Sequence, residues 1–151
     1  MKRKKIIRII LLTGLVVIAG LALYAYKEYN RRQKDVTGLK PEFTFSAVDL
    51  IKEFTINEKM ANEKYLDKII EVNGIVKESK KDEKGFYSIV LGDTLAMSSV
   101  RCSMDSMHND ALKNIVSGNY LSIKGICAGY NADELLGSDV ILNRAVIRNK
   151  N

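Results

Sequence analysis

The sequence has no tryptophan, one proline, one histidine and two cysteines in 151 residues. Each shortage excludes something. Cys102 and Cys127, with the single His108, are too few and too irregularly spaced for a zinc site. No Cys-x-x-Cys pair is present to run thiol–disulfide chemistry. Both cysteines lie far from the start of the chain, which argues against a lipid-anchored N-terminus. Gly-rich phosphate loops, zincin motifs and nucleophile–base spacings are also missing. No cofactor and no enzymatic activity are therefore expected. His108 stands beside Asn109 and Asp110 at an expected strand-to-helix turn, where a solvent-facing or capping role is the ordinary one. Glu58, Lys59, Glu63 and Lys64 read as ordinary solvated helix charges.

Long apolar runs are scarce too: there is one. Ile9 to Tyr26 carries no charge, and Ile6 and Ile7 extend it across Arg8. That length matches the roughly 20 residues needed to cross a bilayer as a helix. Arg8 sits near one end, where it can snorkel to the headgroups, and Tyr24, Tyr26 and Tyr29 cluster at the other as interfacial aromatics do. The run has no polar face, so a transmembrane helix is expected at about residues 6–26. A cleavable signal peptide is the rival reading. Gly20 and Ala22 offer only a weak cleavage site, and the run continues to Tyr26, so an uncleaved anchor is favoured. Five basic residues precede the span and four follow it, diluted by Glu28. The positive-inside rule then favours a single-pass protein of the inner (cytoplasmic) membrane with a periplasmic C-terminal domain.

The charge of +6 is unevenly shared. Residues 1–34 hold nine Lys or Arg and one acid, whereas the remaining 117 residues hold 15 basic and 17 acidic ones. The basic character belongs to the membrane segment and its flanks. The rest, at −2, lacks the broad positive field that phosphate binding normally needs, which weighs against nucleic acid as a partner.

Residues 1–34 form the basic tail, the apolar helix and the start of a linker that continues over 35–45 and contains Pro41. Ser46 with Asp49 three positions on makes a capping-box-like start, and Val48, Ile51 and Phe54 set an apolar stripe for a helix running to about Tyr65. From Lys68 the period becomes two. KIIEVNGIVKES puts Ile70, Val72 and Val76 on one face, with Gly74 marking a bend or bulge. Lys80 to Gly85 reads as a charged turn. GFYSIVLG and MSSVRCSMD are the next strands, MHNDALKNIVSG a short helix, and NYLSIKGICAGY and DVILNRAVI the last two strands. Five strands with a helix after the third is the order of the OB barrel. The expected fold is thus mostly β: a five-stranded OB-type Greek-key barrel over 46–148, with a preceding helix, a helix between strands three and four, and one N-terminal transmembrane helix.

At this point the chain resembles the tRNA_anti-like OB-fold family, found largely among exported or membrane proteins of Bacteroidetes-type bacteria. The resemblance is carried by SAVDLIKEFTINEKMANEKYLDK, IIEVNGIV, SVRCSMD, SGNYLSIKGICAGY and DVILNRAVI, spanning about Ser46 to Ile147. It implies the fold and no activity, since the family offers no catalytic motif to transfer. Many relatives have a lipoprotein-type start, from which this sequence departs.

Cys102 and Cys127 fall on inward strand phases among Val100, Met104, Leu121 and Ile123. Two readings stand: buried free thiols acting as small hydrophobes, or, in an exported domain, a disulfide. Such a bridge would close a loop of about 25 residues and stabilise by roughly 3–4 kcal/mol in the chain-entropy model.

OB domains usually bind ligands on the face of strands two and three and the adjoining loops. The outward phase there presents Asn73, Ser88, Arg101 and Ser103 as the candidate ligand face, with Phe86 and Tyr130 as aromatics able to stack. Only Arg101 among the four is basic. The favoured reading is a membrane-anchored, periplasm-facing OB-type binding or scaffold module without catalysis. Its partners would be the lipid bilayer and a protein, peptide or saccharide ligand. The alternative is a nucleic-acid-binding OB domain.

Overall fold

A computed structural model describes residues 14, 17–26, 35–105, 112, 114–133 and 137–148. The chain divides into two units, Met1–Lys34 and Asp35–Asn151. In the first, Gly14 and 17–26 are helical, with Val17, Ile18, Leu21 and Leu23 exposed. Among the described residues no helix is long and apolar enough to cross a membrane. Most of the span expected at about 6–26 lies outside those residues.

The second unit runs β1 (Phe43–Ser46), α1 (Ala47–Ile56), α2 (Glu58–Tyr65), β2 (Ile69–Lys81), β3 (Tyr87–Leu91), β4 (Ser99–Met104), β5 (Tyr120–Asn131) and β6 (Asp139–Ile147). Ser46 ends a short strand and caps α1, its hydroxyl accepting from the Asp49 amide at 3.1 Å. This cap satisfies one of the amides that a helix start leaves without a partner. The single helix expected to Tyr65 is two. Asn57, extended at φ −155°, breaks it and caps α2 by accepting from the Met60 amide at 3.0 Å. The core face of α1 is Ala47, Leu50 and Phe54, while Val48, expected on the apolar stripe, points outward, as does Ile56.

Five strands close into a barrel. β2 pairs antiparallel with β5 over Ile69–Ile75 and with β3 over Val76–Lys81, β3 with β4, β4 in parallel with β6, and β6 with β5. β1 adds in parallel to the first half of β2. The alternation predicts the interior correctly: Ile70, Val72, Val76, Ile89, Val100 and Ile123 are fully buried. α1 and α2 dock through an aromatic cluster in which Tyr65 meets Phe43 and Phe45 edge-on, and its hydroxyl donates to Glu53 at 2.9 Å. The helix expected between the third and fourth barrel strands falls largely outside the described residues. Leu112 sits buried in a 3-10 turn, and 114–118 carry no regular helix.

The linker expected over 35–45 does not hang free. Residues 43–46 are β1, and Val36 is buried. Lys124, itself buried on β5, donates its ammonium to the carbonyls of Thr37 at 3.0 Å and Leu39 at 2.6 Å. Beside it Glu71 accepts from Ser122 at 2.8 Å and pairs with Arg148. A buried charge survives only when paired or hydrogen-bonded, and both of these are.

The disulfide between Cys102 and Cys127 is not formed; both are buried free thiols. Register explains why. Cys102 and Cys127 each pair with Leu142 of β6, one from each side. Two strand spacings separate them, about 9–10 Å, whereas a disulfide needs Cα atoms within about 7 Å. Inward phase put both on one core, but an intervening strand keeps them apart. Burial lifts the Cys102 thiol from an ordinary 9.0 to about 12. Burial also raises Cys127, against a smaller lowering by the Gly129 backbone.

Two outcomes follow from this packing. A Cβ at Gly74 would lie 3.0 Å from Ala47 Cβ and 3.4 Å from Leu91 Cβ, so glycine is what lets α1 press onto β2. Gly74→Ala is expected to cost about 1–3 kcal/mol by overpacking. Adding Ala47→Gly should return part of that cost, and a double-mutant cycle in urea measures the coupling. Strict additivity would show that the two sites do not touch. For the thiol, the unfolded chain sheds the Cys102 proton above about pH 9 while the folded chain keeps it. Stability from this group is therefore full below that pH and falls by about 1.4 kcal/mol per unit toward about 12. Cys102→Ala removes this component. Unfolding curves at about pH 8 and about pH 10.5 for both chains test it, and parallel losses would contradict the burial.

Candidate ligand groove

The second half of β2, the turn after it, and the outward faces of β3 and β4 enclose a groove of about 520 Å³. It is lined by Lys80, Lys81, Phe86, Ser88, Arg101 and Ser103, with Asp82, Tyr87 and Met104 completing its wall. Pairing explains the assembly. Lys80 lies opposite Ser88, Lys81 opposite Tyr87, and Ser88 opposite Ser103. The outward phase of three neighbouring strands thus aligns Lys80, Ser88 and Ser103, and the groove extends past the strand ends to Lys81, Phe86 and Tyr87.

The turn that closes the groove is pinned by Asp82. Its carboxylate accepts from the amides of Lys84 at 2.9 Å and Phe86 at 2.8 Å, and its own amide donates to the Phe86 carbonyl at 2.9 Å. These bonds hold Phe86 at the groove with half its surface in water. Exposing a phenylalanine on a fixed turn leaves a flat apolar face free to stack. Lys81 places its ammonium 5.4 Å from the centre of the Tyr87 ring, a cation–π distance. Lys80 is paired on the surface with Glu78 at 2.6 Å. Arg101 is positioned from β6: its Nε and Nη2 donate to Asp139 Oδ2 at 3.0 and 2.7 Å, and Ser99 donates to Oδ1 of the same carboxylate at 2.5 Å. The guanidinium is thereby oriented and remains half-exposed.

Three of the four residues expected on the ligand face, Ser88, Arg101 and Ser103, meet in this groove. Asn73 does not. It lies in the first half of β2, where the partner is Ser122 of β5, and its amide donates to the Phe45 carbonyl at 3.5 Å. It lines a separate cleft. Tyr130, expected to be able to stack, is used inside the fold: it stacks on Phe54 at 5.5 Å and its hydroxyl meets Thr55 at 3.4 Å. His108 lies outside the described residues.

Lys80, Lys81 and Tyr87 were not expected in the site. Reading Lys80–Gly85 as a turn hid the two lysines. They belong to a strand that continues to Lys81; pairing sets Lys80 on the outward face opposite Ser88, and Lys81 lines the groove at the strand end opposite Tyr87. After Val76 the five residues to Lys81 are all polar, so no alternation marked the strand's continuation. No group of three or more His, Cys, Asp or Glu gathers as a metal site among the described residues. The thiols are buried and held protonated at neutral pH, so neither supplies a thiolate.

With this geometry in view, the relatives can be placed. No curated protein matches the sequence. Among solved structures, a candidate nucleic acid-binding lipoprotein from Klebsiella pneumoniae superposes with a TM-score of 0.55 at 16% identity, over 70% of this chain and 91% of its own. A candidate aspartyl-tRNA synthetase from Leishmania major gives a TM-score of 0.46 at 11% identity, over 85% of this chain but only 26% of its own. The first likeness shows a common fold at this level of identity. A family model described as tRNA_anti-like matches residues 1–141. The closed five-stranded barrel and that match across nearly the whole sequence together show that the chain belongs to the tRNA_anti-like family.

Proposed function

We propose that this chain is a membrane-tethered, non-catalytic binding module whose barrel is exported and whose ligand, a short single-stranded nucleic acid, lies in the groove between the β2–β3 turn and β4. One observation carries the ligand: Lys80, Lys81 and Arg101 line one groove together with Phe86 and Tyr87. Single-strand binders combine a positive groove for phosphates with rings on which bases stack. Arg101 does not stand alone in the groove: Lys80 and Lys81 join it as a local basic patch within a domain of net charge −2. The Klebsiella protein of the same fold, described as a nucleic acid-binding lipoprotein, agrees with this reading. The tether is supported by the uncharged run from Ile9 to Tyr26 and by the exposed apolar side chains of its described part.

A neutral ligand such as a saccharide is the second reading. Asp82 in the groove wall and Asp139 on Arg101 both reduce its positive charge.

Titrating the full chain with a labelled single strand of about ten nucleotides at low salt is expected to give micromolar binding. Neutralising two or three phosphates should give a log–log salt slope of about −1.4 to −2.1. Replacing Lys80 and Lys81 with alanine should weaken binding at least tenfold and flatten the slope. Phe86→Ala should cost about 1–3 kcal/mol with the slope unchanged. Salt-independent or undetectable binding would leave the saccharide reading. Placement is tested separately: alkaline phosphatase fused after Asn151 is expected to be active in the host and to fractionate with membranes, and an inactive fusion would put the barrel on the cytoplasmic side.

A further inference from the structure

A second apolar feature lies at the other end of β3 from the groove. The loop between β3 and β4 carries Leu95 with 94% of its surface in water and Met97 with 65%. Side chains this exposed usually sit on slack segments, but this loop is braced from three sides. Asp93 accepts from the Leu95 amide through its carboxylate at 2.9 Å and from the Ala96 amide through its carbonyl at 3.1 Å. Lys77 reaches from β2 to the carbonyls of Ala96 at 2.6 Å and Ser98 at 3.3 Å. From the β5–β6 connection, Gly137 lies so close that a Cβ there would stand 2.6 Å from the Met97 carbonyl. The result is a fixed apolar knob.

Beside the knob is a hollow. A cleft of about 320 Å³ is walled by Val48, Ile75 and Tyr120, floored by Gly74, and bounded by Gly92 and Thr94. Thr94 directly precedes Leu95, so knob and hollow share one edge. The three wall residues are themselves substantially exposed. Ile75 and Tyr120 face each other across the β2–β5 pairing, so the wall is part of the barrel rather than a loose flap.

We propose that this face is a self-association surface, on which Leu95 of one copy enters the Val48–Ile75–Tyr120 hollow of a second copy, and the reverse. Three observations favour a second copy over another partner. The protrusion and its complement lie side by side on one face, which is what a two-fold interface requires: the same patch on both subunits, self-complementary. Residues 35–151 carry a net charge of only −2, so copies repel one another little. The rim carries both signs, Asp93 at the cleft and Lys77 beside Gly92, so unlike charges can oppose one another across the axis. Four apolar side chains are fewer than a permanent dimer uses, given the roughly 800 Å² per partner of a stable interface, so the association is reversible and micromolar. It leaves the groove at the opposite end of β3 open on each copy. The surface does not depend on what that groove binds.

The test uses the full chain in whole lysate, where it holds whether or not the protein is tethered. A tagged copy bearing Leu95→Cys is co-expressed with a differently tagged copy bearing Val48→Cys, and oxidised briefly. The native thiols are buried and serve as background. A disulfide-linked pair carrying both tags is expected at least fivefold above the same experiment with Glu83→Cys, on the exposed β2–β3 turn, in place of Leu95→Cys. Sedimentation of the purified chain should show a concentration-dependent dimer that Leu95→Asp weakens at least tenfold, with an unchanged melting curve because Leu95 touches little of its own fold. Cross-linking no higher than the Glu83 control would overturn the proposal. So would a Leu95→Asp chain that associates like the parent, or a Leu95→Cys adduct to a host polypeptide in place of the tagged copy.

Discussion

Within the barrel, one strand has to serve two partner strands. β2 spends its first seven residues on β5 and its last six on β3, and the barrel closes only because it is long enough to do both. The hand-over falls at a register shift between Val76 and Glu78, where an extra residue bends the strand from one sheet into the other. Gly74, just before the bend, gives α1 room to press Ala47 onto the inward side of β2, where it joins the core. Shortening β2 would open the cylinder and uncover a core built from every strand.

The same division sorts the surface. Outward residues on the first half of β2 meet β5 and β1. There Glu71, Ser122, Lys124 and Arg148 make a polar layer that binds the incoming chain through the carbonyls of Thr37 and Leu39. Burying these groups is tolerable because each has partners; losing one would leave a buried charge without one. Outward residues on the second half meet β3 and β4, and there the cations and Phe86 collect around a groove. A polar scaffold layer and a grooved face thus follow from one strand changing partners midway. Carboxylates from outside the groove strands set its character: Asp82 fixes the turn that presents Phe86, and Asp139 on β6 aims Arg101. That arrangement favours orientation over raw charge.

Much was legible in the chain itself. Period-two alternation placed the barrel strands and most of their inward residues, because a half-buried strand leaves that imprint on composition wherever it pairs. The uncharged run to Tyr26, the split of charge at Lys34, and Ser88, Arg101 and Ser103 as one outward face were likewise readable, since each depends only on local order along the chain. Tertiary structure alone decided the rest. It separated Cys102 from Cys127 by one strand, because inward phase says which core a residue joins but not how many strands lie between. It placed Asn73 and Tyr130 away from the groove and put Lys80, Lys81 and Tyr87 in it, because a side chain's neighbours are set by register and partner strand, quantities that a linear pattern does not encode.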